Sequence, residues 1–300
     1  MVELVFLGTT AGIPTRTRAH SAIHVRYRGR REYCYLFDCG EGVQRQLLLA
    51  NINHLKIGAI FITHWHADHY LGLPGLVDTM GFESRTEPLL IFSPEPERVR
   101  ALLAVGYAQP PFPVSVRAAD SLRSESSTLL ETQEFLISSL PVVHTVPAVG
   151  YVFREKDRVG IDRDKLRAMG LPLASPMYRD ARANGFLRSK AGDIPWKQIS
   201  SRKKGKKVVY SGDTAVCDTL RTAIEEADLL VHDCTFFENV EGNYGHTSLG
   251  ELLAMTHSTS VKRIVLTHIS RRYQNHEALD AMVRDYPNML VAYDFMKVVV

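Results

Sequence analysis

Four side chains able to hold metal ions fall within six residues at His64-x-His66-x-Asp68-His69, directly after an apolar run at 57–62. Three imidazoles and a carboxylate crowded behind a strand make a poor core, because an apolar interior leaves their polar atoms unsatisfied. They make a good cradle for divalent cations, which take such nitrogen and oxygen donors readily. Three further candidates stand at the ends of strand-like runs. His144 follows Val142-Val143, Asp213 follows Val208-Val209-Tyr210-Ser211-Gly212, and His268 follows Ile264-Val265-Leu266-Thr267. Five histidines and two aspartates suit two zinc ions that share one carboxylate and one water, with positions left open for substrate. Alone, His144 or His268 would mean little; beside the cluster they complete a set.

Positioning such a set needs a scaffold whose strands end together. Strand-like runs are expected at 3–7, 22–27, 33–37, 57–62, 89–92, 134–140, 151–154, 207–210, 229–232, 263–266 and 290–292. Helical patterns fall near 42–50, 95–105, 219–227, 248–257 and 276–285. Strands alternating with helices make this an α/β chain, and the polar motifs sit where chain leaves a strand at its C-terminal end. No repeat or low-complexity stretch interrupts the pattern.

The bulk composition is that of an ordinary soluble protein, with 45% hydrophobic and 23% charged residues among 300. No apolar stretch approaches the roughly 18 to 20 residues that span a bilayer, so no membrane partner is expected. The start, Met1-Val2-Glu3-Leu4-Val5-Phe6-Leu7-Gly8, reads as a first strand and not as a signal peptide, which makes the cytoplasm the expected compartment. The four cysteines, Cys34, Cys39, Cys217 and Cys234, form no Cys-x-x-Cys pair and read as small buried hydrophobes.

A net charge of +3 conceals an asymmetry: 154–207 holds sixteen Lys and Arg against six Asp and Glu, a local balance of +10 that leaves −7 for the rest. This segment is rich in Pro and Gly, and its one regular-looking element is a short helix at 162–169. A long basic connection in an acidic body is expected to meet a polyanion, as an arm inserted into a single domain covering 1–300.

Together these motifs resemble the metallo-β-lactamase superfamily: His64-x-His66-x-Asp68-His69, His144, Ser211-Gly212-Asp213-Thr214 and Thr267-His268. Within it, the chain is similar to the ribonuclease Z family, endonucleases that trim the 3′ ends of tRNA precursors. The residues carrying that narrower likeness are Leu7-Gly8-Thr9, Phe37-Asp38-Cys39-Gly40-Glu41-Gly42, Gly72-Leu73-Pro74-Gly75-Leu76, Tyr244-Gly245-His246-Thr247-Ser248 and Thr267-His268-Ile269-Ser270-Arg271-Arg272-Tyr273. The likeness spans essentially the whole chain. It implies a four-layer αβ/βα sandwich with a protruding basic arm.

By this resemblance one zinc takes His64, His66 and His144, the other takes Asp68, His69 and His268, and Asp213 bridges them; manganese or iron suits the same donors. Asp68 would orient the attacking water or accept its proton. His246 would protonate the leaving 3′ oxygen, just before a helix start whose amides could meet a phosphate. The arm would clasp a tRNA precursor away from the scissile bond, and the family habit is a homodimer. Two departures stand out. Ser175-Pro176 replaces a Gly-Pro of the arm. In Pro14-Thr15-Arg16-Thr17-Arg18-Ala19, Arg16 and Ala19 replace the Lys and Asn of a loop associated with rejecting CCA-bearing tRNA. Trp65 and the pair Phe236-Phe237 read as packing residues in preference to base platforms. Two other readings stay open at this stage: a hydrolase of small molecules such as phosphodiesters, and a non-catalytic RNA-binding protein.

Overall fold

A computed structural model describes the chain except for positions 106–109, 122–125, 190–191, 239, 241 and 243. Two compact units are present: Met1–Arg154 with Lys206–Val300, and Glu155–Gly205.

The larger unit is built on two seven-stranded sheets. In the first, Val2–Gly8 lies between Lys297–Val299 and Ala22–Arg28, followed in order by Glu32–Phe37, Ile57–Phe61, Leu89–Ser93 and Val114–Ala118. The second runs Met289–Val291, Ile264–Thr267, Leu229–Asp233, Lys207–Tyr210, Val149–Glu155, Phe135–Pro141 and Ser127–Glu131. Three apolar clusters define the layers. One, with Phe6, Tyr27, Phe37, Phe61, Phe135, Tyr151, Phe153 and Tyr210, draws on strands of both sheets and fills the space between them. A second joins the other face of the first sheet to the helices Val43–Leu49 and Leu73–Phe82, and a third joins the second sheet to Asp218–Ala223, Leu249–Thr256 and His276–Val283. Helix, sheet, sheet, helix is the expected four-layer order.

Strand register brings the functional residues to one edge. Phe37 pairs with Phe61, Tyr210 with Val231, and Asp233 with Thr267. The residues that follow these pairs, Asp38, His64, Asp213 and His268, therefore emerge at the same end of the sheets. Aromatic packing stiffens that end: Phe37 stacks on Tyr210 with ring centroids 5.9 Å apart, and Tyr210 aims its hydroxyl out of the core at Asp38.

The structure differs from the sequence expectation at several elements. Leu73–Phe82 is a helix although Pro74, Gly75 and Gly81 depress its propensity; Pro74 sits in the first turn, where its missing amide costs nothing. Val114–Ala118 and Ser127–Glu131 are edge strands whose half-exposed residues give no apolar run.

The smaller unit holds more regular structure than the single helix expected at 162–169. Antiparallel Arg158–Ile161 and Ser200–Lys203 close its base, Phe186–Leu187 pairs with Ile194–Pro195, and three helices cover Arg163–Ala168, Met177–Asn184 and Trp196–Ile199. Leu166, Tyr178, Ala181, Leu187 and Ile199 form its own apolar cluster. These anchors are irregularly spaced between Pro and Gly, so no helical or strand period shows in the sequence. Positions 190 and 191 of the basic segment lie outside the described residues.

Candidate metal centre

All seven candidate ligands converge. His64 Nε2 and His144 Nε2 lie 3.0 and 3.1 Å from His66 Nδ1. Donors around a tetrahedral zinc, at roughly 2.0–2.1 Å from it, stand about 3.3 Å apart, so this triangle needs little adjustment. On the other side, His69 Nε2 and His268 Nε2 face Asp68 Oδ2 at 3.5 and 3.4 Å. Asp213 Oδ2 lies between the two groups, 3.6 Å from His64, 3.3 Å from His69 and 3.1 Å from His268. Its position fits the sharing role expected of it.

Three of the five imidazoles are held from behind by groups distant in sequence. His69 Nδ1 lies 2.9 Å from Asp38 Oδ2, His144 Nδ1 2.9 Å from the Gly245 carbonyl, and His268 Nδ1 2.9 Å from Thr235 Oγ1. Such outer partners fix ring orientation and tautomer, leaving the opposite nitrogen for the centre. Gly245 is needed for this. Its φ is 79°, and a Cβ there would meet His144 Nδ1 at 3.0 Å. Asp38 and His268 are themselves left-handed, both with φ 57°, a backbone cost concentrated where geometry is over-determined.

The electrostatics call for a cation. Burial would raise the Asp213 and Asp68 carboxyls, yet neighbouring histidines hold both well below the usual carboxylate range. Burial likewise opposes protonation of His268, but Asp213, Asp233 and Asp68 draw it up to about 10, and His69 is raised by Asp213, Asp38 and Asp68. The carboxylates thus favour positive charge at this group, charge that divalent ions could supply. His69 Nε2 is moreover buried without a hydrogen-bond partner while facing two carboxylates. Donor types, spacing and this orphaned nitrogen all fit metal ions.

His246 stands at the rim. Its ring stacks on His268 and meets His144 edge-on, each at 5.0 Å between centroids, and its Nδ1 lies 2.8 Å from Asp233 Oδ2. Asp233 also accepts from the Thr214 amide and from the amide and hydroxyl of Thr235. Opposing its burial, His246 and His268 keep it ionised. The helix start after His246 is less free than expected: Ser248 and Glu251 form a capping box that takes both of their own amides.

Asp38 and Asp233 were not among the candidates read from the sequence as site residues. Their signal was available, since each ends or follows an apolar run as the ligands do. Asp38 accepts from the Thr63 amide and hydroxyl and, at 2.6 Å, from Tyr210. Trp65 stacks on Tyr70 at 4.0 Å, Phe237 packs against Tyr273, and the Arg272 guanidinium covers Phe236 at 5.2 Å. The four cysteines are free; Cys34, Cys39 and Cys234 are buried, and Cys217 is partly so.

Known proteins resemble the chain as a whole. A family model described as a beta-lactamase superfamily domain matches 181–269, and one described as anti-Pycsar protein Apyc1 matches 2–102. Ribonuclease Z of Methanothermobacter thermautotrophicus is 36% identical over 310 residues, covering 99% of this chain and 96% of that protein. The chain belongs to the ribonuclease Z family. Ribonuclease Z of Bacillus subtilis is 34% identical over 308 residues, covering 99% of this chain and 98% of its own length. Among solved structures, the short form of human tRNase Z matches with a TM-score of 0.69 at 25% identity, covering 99% of both chains. Membership of the ribonuclease Z family carries the metallo-β-lactamase fold with it. No helix among the described residues is long and apolar enough to cross a membrane.

Proposed function

We propose that this ribonuclease Z family member is a zinc-dependent endoribonuclease that cuts tRNA precursors on the 3′ side, leaving a 3′-hydroxyl on the tRNA and a 5′-phosphate on the trailer. Family membership makes it a metal-dependent phosphodiester hydrolase; the precursor specificity, the zinc and the roles below are our reading. One observation carries it: seven metal donors converge beside a histidine that a buried carboxylate holds in place.

In this reading His64, His66 and His144 would hold one ion, Asp68, His69 and His268 would hold the other, and Asp213 would contribute to both. Two divalent ions held there would acidify a water and neutralise charge building on the phosphoryl oxygens. The chain's own groups do the rest. Asp68, with a carboxylate oxygen at the centre, orients the attacking water and accepts its proton. The ribose 3′ oxygen is a poor leaving group and needs a proton as it departs. His246 delivers it: Asp233 engages Nδ1, which leaves Nε2 to carry the transferred proton.

The basic segment 154–207 supplies phosphate contacts to the body of the tRNA. Arg179, Arg182 and Arg188 are exposed in it. A homodimer is part of the proposal, and the exposed Leu48, Leu49 and Phe82 offer apolar surface for one. The small-molecule reading has no need of the arm or of His246, and the complete donor set opposes the non-catalytic one.

A zinc assay paired with cleavage of a 3′-extended tRNA tests the proposal. Two metals with tRNA cleavage supports it. Two metals without RNA cleavage returns the small-substrate reading, and absence of metal binding returns the binding module.

A further inference from the structure

Asp294 lies outside every motif discussed so far, in the link between the last strand of one sheet, Met289–Val291, and the last strand of the other, Lys297–Val299. Its carboxylate gathers both ends of the loop Thr9–Ala19. Thr9 Oγ1 donates to Oδ1 at 2.8 Å, the Ala19 amide to Oδ2 at 2.7 Å, and Gln46 Nε2 to Oδ2 at 3.1 Å. The loop base is closed further by the Thr9 and Thr10 amides donating to the Ala19 carbonyl, and by Arg18, which reaches Thr9 Oγ1 and the Ala292 carbonyl.

The other side of this loop touches the metal centre twice. The Gly12 amide donates to Asp68 Oδ2 at 2.8 Å. Gly12 adopts φ 59°, which favours glycine and turns its amide toward the carboxylate. Thr10-Ala11 pairs in parallel with Ile269-Ser270, and the Ile269 amide donates to the Thr9 carbonyl at 2.8 Å, so the same strand braces the backbone immediately after His268. Both contacts fall on the Asp68–His69–His268 group; none falls on His64, His66 or His144.

We infer that Asp294 is a positioning residue for one half of the centre, holding the Thr9–Ala19 loop so that Gly12 fixes Asp68 and Thr10-Ala11 fixes the chain at His268. This rests on the proposed metal assignment, but not on the identity of the RNA. Burial pushes the Asp294 carboxyl up to about 6 although the Ala19 amide and Thr9 hydroxyl pull it down. A carboxylate kept in so unfavourable a place is consistent with a task that a neutral residue would not perform as well.

Zinc titration against a competing chelator tests the inference, with amide exchange at Gly12 read in parallel. In Asp294→Asn, and independently in Thr9→Val, one zinc is expected to bind about 10- to 100-fold more weakly while the other keeps its affinity, the range typical of lost outer-shell support. Exchange at Gly12 should quicken in the metal-free protein, and turnover should fall on both tRNA precursor and bis(p-nitrophenyl) phosphate with the Michaelis constant for tRNA little changed. Two zincs bound as in the parent, with Gly12 exchange unaltered, would overturn the inference. Equal weakening of both sites would reduce Asp294 to a general stabiliser and overturn it too. If the parent protein binds two zincs but cuts no RNA, the functional proposal fails while the zinc and exchange readouts still decide this one.

Discussion

Asp233 Oδ2 lies 2.8 Å from His246 Nδ1, and the imidazole it holds is stacked on His268, a member of the candidate metal-donor set. The proposed proton donor is thereby fixed to the same framework as the residues that would hold the ions. The pairing separates two kinds of substrate. Ribose 3′ oxygen must be protonated to leave, whereas p-nitrophenolate leaves without help.

His246→Ala is therefore expected to lower turnover of a tRNA precursor by about 100-fold or more, within the usual range for a general acid, with two zincs still bound. Hydrolysis of bis(p-nitrophenyl) phosphate should be nearly unchanged. Asp233→Asn should show the same selectivity with a smaller loss. Steady-state kinetics on both substrates, with metal analysis of each variant, checks this; near-normal RNA turnover in His246→Ala would remove the residue from the mechanism.

Charge on the smaller unit should govern affinity and not chemistry. Replacing the exposed Arg179, Arg182 and Arg188 by Ala is expected to raise the Michaelis constant for a tRNA precursor and to flatten its logarithmic dependence on salt by about 2, since each phosphate contact contributes roughly 0.7 to 0.9. Hydrolysis of a small phosphodiester should be spared. A salt series on parent and variant measures both, and an unchanged slope would mean that the arm does not touch phosphate.

Arg16 and Arg18 share a loop but should behave differently. Arg18 is buried and donates to Thr9 Oγ1 and the Ala292 carbonyl, so Arg18→Ala should cost about 2–3 kcal/mol of stability and lower the melting temperature. Arg16 is exposed, and Arg16→Ala should leave melting unchanged. Its effect is expected in the ratio of cleavage rates for precursors with and without CCA, measured side by side.

His24 gives a pH signature away from the site. Its ring is buried with both nitrogens unpartnered; burial first, then the charge of Arg26, push its pKa from 6.5 to about 4. Between those values the unfolded chain binds a proton that the folded one refuses, so stability is lost as pH falls from 6.5 toward 4, by about 3 kcal/mol at most. His24→Leu should remove that component. Denaturant unfolding at pH 7.5, 6 and 4.5 should show the variant gaining on the parent as pH drops; parallel curves would show that His24 does not titrate across folding.

The legible part of this protein was local. The candidate ligand cluster sits in one short segment, and the strands that present it are continuous apolar runs because helices cover one face of each sheet and the other sheet covers the other. What stayed hidden depends on distant partners. Asp38 is defined by His69 and by Tyr210, and Asp294 by Thr9 and Ala19, none of them near in sequence. A strand-end aspartate that orients a histidine looks the same in sequence as one that binds metal or faces water. Elements were missed for different reasons: edge strands and the short ladders of the basic segment bury too few residues to impose a period, and Pro74, Gly75 and Gly81 mask the helix Leu73–Phe82.

Mapping both ends of the cut in a 3′-extended tRNA tests the central claim most directly. The account predicts a tRNA ending in a 3′-hydroxyl and a trailer beginning with a 5′-phosphate, formed by the parent and lost on metal removal. A 2′,3′-cyclic phosphate on the tRNA, or intact precursor after incubation with the two-zinc protein, would contradict it.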